Sequence, residues 1–415
     1  MDVIADLHVH SRHSRATGKE LNLANLEKWG RIKGVNLLGT GDFTHPKWIN
    51  EIKEELSEDD TGILKSKTGF SFMLQTEISF VYMQDSRFRK VHLLAYAPDI
   101  ETAEKIASWL GSRGRLDYDG RPTFGMPCPE FVDALKSIDS KTEIIPAHIW
   151  TPWFSMLGAS SGFDSVKECF HDTEKHIFAL ETGLSSDPPM NWRLSALDKY
   201  TLVSNSDLHS FWPWRLGREA NVLSLKDLTY KSVFNCIKSR EGFKETIEVN
   251  PSFGKYHWTG HRECGISISA FEAMKIKSMC KVCGKKLTVG VEQRVEELAD
   301  REEGYVKKGA VPFRSLIPLS DIISAVIKKS VSSKAAWGYY NSLVKGRSEY
   351  DVLLSVSEEE LIASSNGPIA AAIMQNRNGQ IEVKPGFDGV YGEPMIGADG
   401  QKPKKKDQKG LKEFF

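Results

Sequence analysis

Near the start of the chain, Asp6-Leu7-His8-Val9-His10 sets two imidazoles two residues apart. On an extended backbone, residues i and i+2 face the same side, so both rings can reach one ion. The pattern recurs further along. Asp42 stands in Gly41-Asp42-Phe43, Glu77 follows Phe72–Thr76, and His92 opens His92-Leu93-Leu94-Ala95-Tyr96. His148 follows Ile144–Ala147, and Asp207 and His209 lie two apart in Ser204–Ser210. Each polar group follows or ends an apolar run. A single histidine in such a place is ordinarily a hydrogen-bonded structural residue; so many together point to metal. Imidazole with carboxylate suits zinc or manganese, and a set this large suits a bridged site of two or three divalent ions, Zn, Mg or Mn. Such ions acidify bound water and clamp both oxygens of a phosphoryl displacement. Glu77 is the natural bridge, because a carboxylate has two oxygens and an imidazole offers one nitrogen at a time. Glu77 and Asp207 are the expected catalytic carboxylates.

A second constellation has different chemistry. His261 and Cys264, then Cys280 and Cys283 after a fifteen-residue gap, form two pairs of soft ligands. A lone CxxC could be a redox pair, but two such pairs have the spacing of one tetrahedral structural zinc. His257 competes with His261 for the fourth position. A closed site leaves no open position for substrate. Its expected role is to hold together a segment with little core of its own, presenting Lys281, Lys285 and Lys286 to phosphates.

Elements must place these groups. Over the first ~245 residues, short apolar runs alternate with amphipathic stretches, as in parallel α/β folds. Strands are expected at 2–8, 35–39, 72–78, 91–96, 143–147, 178–181 and 201–204. Helices are expected at 23–31, 100–110, 129–138, 164–170 and 190–197. About seven repeats fit a (β/α) barrel, and the polar groups then fall on its C-terminal rim, where barrel active sites lie. The texture changes near Asn250-Pro251. Residues 255–290 are rich in Cys, His, Gly and Lys, and helices follow at 291–301, 319–329 and 335–344, before a Gly-rich stretch. The expected divisions are 1–250 for the barrel, 251–300 for the zinc module, 301–395 for a helical domain and 396–415 for a basic linker and tail.

The bulk composition excludes some partners. The 415 residues hold 55 basic and 55 acidic side chains, so bulk charge does not announce a nucleic-acid partner. Any DNA contact must use a local basic stripe. No run approaches the ~20 apolar residues of a membrane span, and Met1–His10 does not read as a signal peptide. A cytoplasmic protein is expected, and the six cysteines fit metal ligation better than a disulfide framework. Tryptophan-rich loops follow two metal motifs, at Trp150–Phe154 and Phe211–Arg215. They could stack an extruded base or simply cap the barrel. Arg87, Arg89, Lys90, Arg215 and Arg218 are candidate phosphate contacts.

The ordered set DLHVH, GD, TE, VH, AH and SDLH resembles the polymerase and histidinol phosphatase (PHP) superfamily. That resemblance implies a distorted seven-stranded (β/α)7 barrel with a trinuclear metal site, nucleoid-associated if the enzyme repairs DNA. By matching motifs it implies His8, His10, Glu77, His92, His148, Asp207 and His209 as ligands, with His13 in a looser first-motif slot. The second motif departs from the family's Asp-His, having Asp42-Phe43. Either Asp42 ligates directly or His45 replaces the missing imidazole.

The runs around Cys264 and Cys280, with the later Pro385–Gly392, resemble the endonuclease Q family. That implies DNA cleavage on the 5′ side of a deaminated base (hypoxanthine, uracil or xanthine) or an abasic site. A small-molecule PHP phosphatase, or another PHP nuclease, is the alternative. The final residues Gln408, Leu411, Phe414 and Phe415, beyond the basic run Lys402–Lys406, resemble the box recognised by the PCNA sliding clamp. An apolar plug on a basic linker has nothing local to bury it, which suits a docking peptide; the alternative is a tail that folds back on its own domain.

Overall fold

The computed structural model describes residues 1–396; the basic linker and the clamp-type box lie outside them. Eight strand segments cover the seven expected runs, because the run expected at 72–78 divides at Leu74 into two strands. Asp2–Asp6, Leu37–Gly39 and Ser71–Met73 pair in parallel. After Leu74 the chain re-enters as Gln75–Gln84, which pairs antiparallel with Arg87–Tyr96, and that strand pairs antiparallel with Glu143–Pro146. Ala179–Glu181 and Thr201–Val203 form a parallel pair. Closure onto the first strand runs through side chains. Asn205 accepts from Leu7 N at 2.9 Å, and Asn221 bonds both Ser204 N and Ser204 O, at 3.0 and 2.8 Å. A bridge between Val9 and Leu208 completes the rim.

The expectation of a parallel α/β barrel therefore holds for the fold class, while the sheet pairing is mixed. The physical reason is the turn Asp85-Ser86. Both residues have positive φ, 51° and 59°, the signature of a two-residue hairpin turn, and a connection that short cannot carry a parallel crossover. Ala220–Ser224 also runs antiparallel to the first strand, and sequence periodicity did not mark it. The helices fall close to expectation, at Leu23–Lys33, Ile100–Gly111 and Cys128–Ile138. The expected 190–197 helix is two pieces, Pro188–Trp192 and Ser195–Leu197, because Leu194 is extended.

Beyond the barrel, Thr259–His261 and Ile266–Ile268 form a small hairpin and Val291–Leu298 a helix. Phe313–Ser315 adds a parallel strand beside Phe243–Glu248 of the main sheet. Helices Leu319–Ile327, Lys334–Leu343, Glu349–Leu354, Glu358–Ser364 and Gly367–Arg377 follow, and their buried apolar residues join the barrel's core. The Gly-rich stretch is a hairpin of Glu382–Lys384 with Glu393–Met395. Its Asp388 accepts from Arg262 N and Thr288 Oγ1, each at 2.7 Å, tying it to the cysteine–histidine segment. No helix among the described residues is long and apolar enough to cross a membrane.

Candidate metal centre

Strand ends bring most of the sequence-predicted ligands together, and His92 joins them from within the strand Arg87–Tyr96. His8, His10, Glu77 and Asp207 form one cluster, and Glu77, His92 and His148 form a second that shares Glu77. One Glu77 oxygen lies 3.2 Å from His10 Nε2. The other lies 2.7 Å from His92 Nδ1 and 3.0 Å from His148 Nε2. Asp207 Oδ1 lies 3.1 Å from His10 Nε2 and 3.5 Å from His8 Nε2.

Backbone strain marks the same place. Asp42, His148 and Asp207 have φ of 46°, 30° and 46°, a region that costs a non-glycine residue energy and persists where the surroundings over-determine it. Gly183 permits the His148 turn, since a Cβ there would stand 2.7 Å from His148 Cβ.

Opposite charges are packed against one another in the site. Burial alone would raise the Glu77 pKa, yet His92, Arg121 and His8 hold it well below the usual carboxylate range. Burial would lower His8, but Glu181, Asp207 and Glu77 push it well above the ordinary value. The fit to divalent ions rests on an orphan atom: His8 Nε2 is buried without a hydrogen-bond partner, facing Glu77 and Asp207. Nitrogen and oxygen donors of this mixture suit zinc or manganese.

Asp42, His13 and His209, also expected as ligands, lie outside these two clusters. Asp42 Oδ1 lies 3.1 Å from His10 Nδ1, and its Oδ2 accepts from Ser11 N, Ser11 Oγ and Ser14 Oγ. It orients the back of a ligand ring. His13 Nε2 pairs with Glu51 at 3.0 Å and its ring stacks on His45. His45 uses Nδ1 to cap the helix starting at Pro46. His209 sits at the mouth, its ring centroid 4.5 Å from that of His10 and its Nδ1 3.6 Å from Asp207 Oδ1.

Two residues escaped the sequence reading. Glu181 is fully buried and meets His8 Nδ1 with both oxygens, while accepting from His148 N at 2.8 Å. The signal was available, since Glu181 ends an apolar run like the other carboxylates. Arg121 donates to Glu77 Oε2 at 3.1 Å, and no local pattern marked it.

The aromatic loops divide. Trp150 is buried with its indole N–H on Asn191, so it packs the core. Trp153 and Trp212 are 38% and 37% exposed. Trp212 stacks on Trp214 and meets Trp29 and Trp337. Of the arginines singled out earlier, Arg89 and Arg218 are buried on the carbonyls of Gly162 and Ser206. They hold structure, because a committed, buried guanidinium cannot meet a phosphate.

The second cluster is also assembled. His261, Cys264, Cys280 and Cys283 converge, with Cys283 Sγ 3.5 Å from His261 Nδ1. Backbone N–H groups of Cys283 and Val282 help hold the Cys280 thiol down to about 6, while burial and the neighbouring thiols push Cys264 up to about 11. His257 is half-buried and lies outside this group.

The family model for the MJ0043 C-terminal domain matches residues 318–380. The crystal structure of the lesion-specific endonuclease PfuEndoQ from Pyrococcus furiosus superposes with a TM-score of 0.85 at 31% identity, covering 98% of each chain. A structure of endonuclease Q with a 27-mer duplex carrying an abasic lesion at its active site gives 0.86 at 31% identity, covering 98% of this chain and 100% of that one. YqxK of Bacillus subtilis, an uncharacterized protein, is 29% identical over 94% of this chain and 98% of its own.

Proposed function

The chain belongs to the endonuclease Q family, and from that premise we propose a metal-dependent DNA repair endonuclease that hydrolyses the phosphodiester 5′ of a deaminated base or an abasic site. The observation that carries the chemistry is the Glu77 carboxylate, which touches His10 with one oxygen and His92 and His148 with the other. His8, His10, Glu77 and Asp207 would hold one divalent ion, and Glu77, His92 and His148 a second. Bound there, such ions supply an acidified water and a Lewis acid for phosphoryl displacement.

The chain's own residues prepare the place. Glu181 fixes the ring of His8 and the backbone of His148, and Asp42 fixes His10. Both keep the metal-facing nitrogens in one orientation before substrate arrives. His209, half-buried beside His10 and Asp207, would be a further ligand. Exposed Trp212 and Trp153 follow the motifs of Asp207 and His148 and offer stacking faces for unpaired bases.

The lesion preference draws its support from the relatives alone, one of which holds an abasic lesion in its active site. We further propose one structural zinc on His261, Cys264, Cys280 and Cys283, a cytoplasmic, DNA-associated location, and a PCNA-type clamp as partner of the tail. The test is incubation of the protein with duplexes carrying a single hypoxanthine, uracil, xanthine or abasic site, with Mg2+, Mn2+ or Zn2+. Cleavage 5′ of the lesion is the expected result. Intact duplexes in all metals, or equal cleavage of undamaged DNA, would overturn the reading.

A further inference from the structure

The loop Tyr118–Pro122 is pinned at both ends against the metal centre. Gly120 N donates to His13 O at 2.9 Å, and Ser79 N donates to Pro122 O at 3.0 Å, beside the strand that carries Glu77. Asp119 Oδ1 accepts from both Arg15 N and Arg121 N at 3.2 Å. Gly120 is obligatory, because a Cβ would stand 2.2 Å from Asp42 Oδ2 and 2.4 Å from Ser14 Oγ. The loop thus lies directly on the floor of the site and aims Arg121 inward.

There the guanidinium makes one side-chain hydrogen bond among the described residues, to Glu77 Oε2 at 3.1 Å. A guanidinium has five N–H donors in a fixed fork, so most of its capacity is left for another acceptor. Its side chain is 25% exposed while that of Glu77 is wholly buried. The Glu77 carboxylate occupies one N–H of this cation, which leaves the rest placed to receive an anion that enters beside the two clusters. The fork matches a phosphate in shape and charge.

We infer that Arg121 is a catalytic residue that binds a non-bridging oxygen of the scissile phosphate next to Glu77. The inference rests on the phosphodiesterase reading given above. In that position it would meet charge that grows as the phosphorus becomes pentacovalent, where one preorganised donor is worth on the order of 10²–10³ in rate.

The experiment compares metal-loaded wild type with Arg121→Ala and Arg121→Lys. Three quantities are read: metal content, cleavage of a duplex with one abasic site, and calorimetric titration with inorganic phosphate. Arg121→Ala should keep its metals, lose about 10²–10³-fold in kcat with a smaller change in KM, and bind phosphate about tenfold more weakly. Arg121→Lys should recover only a minor part, because an ammonium keeps the charge and lacks the fork. Full recovery in Arg121→Lys, wild-type phosphate binding in Arg121→Ala, or loss of metal from Arg121→Ala would each reduce Arg121 to a partner of Glu77 and overturn the inference. A wild-type protein that cleaves no lesion duplex would instead sink the nuclease reading, while the phosphate titration would still judge Arg121.

Discussion

Glu181 meets the Nδ1 edge of His8 with both carboxylate oxygens, at 3.0 and 3.1 Å, which leaves His8 Nε2 as the edge that faces Glu77 and Asp207. This relationship decides which nitrogen can bind an ion. Second-sphere carboxylates of this kind set ring orientation and raise ligand basicity. Glu181→Gln should therefore weaken metal binding at the barrel site about 10–100-fold while the circular dichroism spectrum stays native. Competitive chelation followed by elemental analysis measures it. Wild-type retention of metal would mean that Glu181 only supports packing.

The shared carboxylate makes a sharper demand. Glu77→Ala removes the group common to both clusters, and Asp207→Asn removes the charge facing His8 and His10. Both variants should fold, bind fewer metal ions and show no lesion cleavage above background. A variant that cleaves at the wild-type rate with its full metal complement would show these carboxylates to be misassigned.

The zinc proposed for the cysteine–histidine segment is tested through folding. Cys280→Ser should lower zinc by about one equivalent per chain and deprotect the amides of residues 255–290 in hydrogen exchange, leaving the barrel strands protected. Structural zinc contributes apparent energies of roughly 10–16 kcal/mol in small modules, most of it coupled to folding. A variant with unchanged zinc and unchanged exchange would remove the metal from this segment.

Lys33 and Glu349 test the seam between barrel and C-terminal helices. Their side chains are 1% and 0% exposed and 2.7 Å apart, and Lys33 also donates to Pro213 O at 2.8 Å, under the Trp212 loop. Removing one partner strands a buried charge, so Lys33→Met should cost about 3–5 kcal/mol in denaturant unfolding. The double variant Lys33→Met with Glu349→Leu should recover most of it. Equal stability of the single variant and wild type would show that the remaining carboxylate is reached by water.

The tail should act by tethering, independent of the metal centre. A peptide spanning Lys402–Phe415 should bind a PCNA-type clamp in calorimetry with micromolar affinity, an outcome about 8 kcal/mol deep. Phe414→Ala with Phe415→Ala should abolish it. Cleavage of short duplexes without clamp should stay unchanged in the full-length double variant, because the tether supplies local concentration and no lesion contact. Absence of heat at ~100 µM peptide would exclude the clamp.

Local chemistry determined a large part of this protein. His8 and His10, Glu77, His148 and Asp207 were legible because apolar runs carry them to or near strand ends, whereas His92 lies within the strand Arg87–Tyr96; the structure gathers all six. The four zinc-type ligands were legible because soft ligands at x2 spacing have few other uses, although only the fold separates His261 from His257. Strands of the barrel were legible from apolar runs, and Ile100–Gly111 from its helical period. What needed the tertiary structure were relations between residues far apart in the chain. Glu181 approaches His8 across 173 positions and Arg121 approaches Glu77 across 44. Asp42 and His10 are both polar residues at strand ends, and no local rule says that Asp42 turns its oxygens to the back of the His10 ring. A side chain's type limits what it can bind, but which partner it meets is set by packing contacts that sequence spacing does not encode.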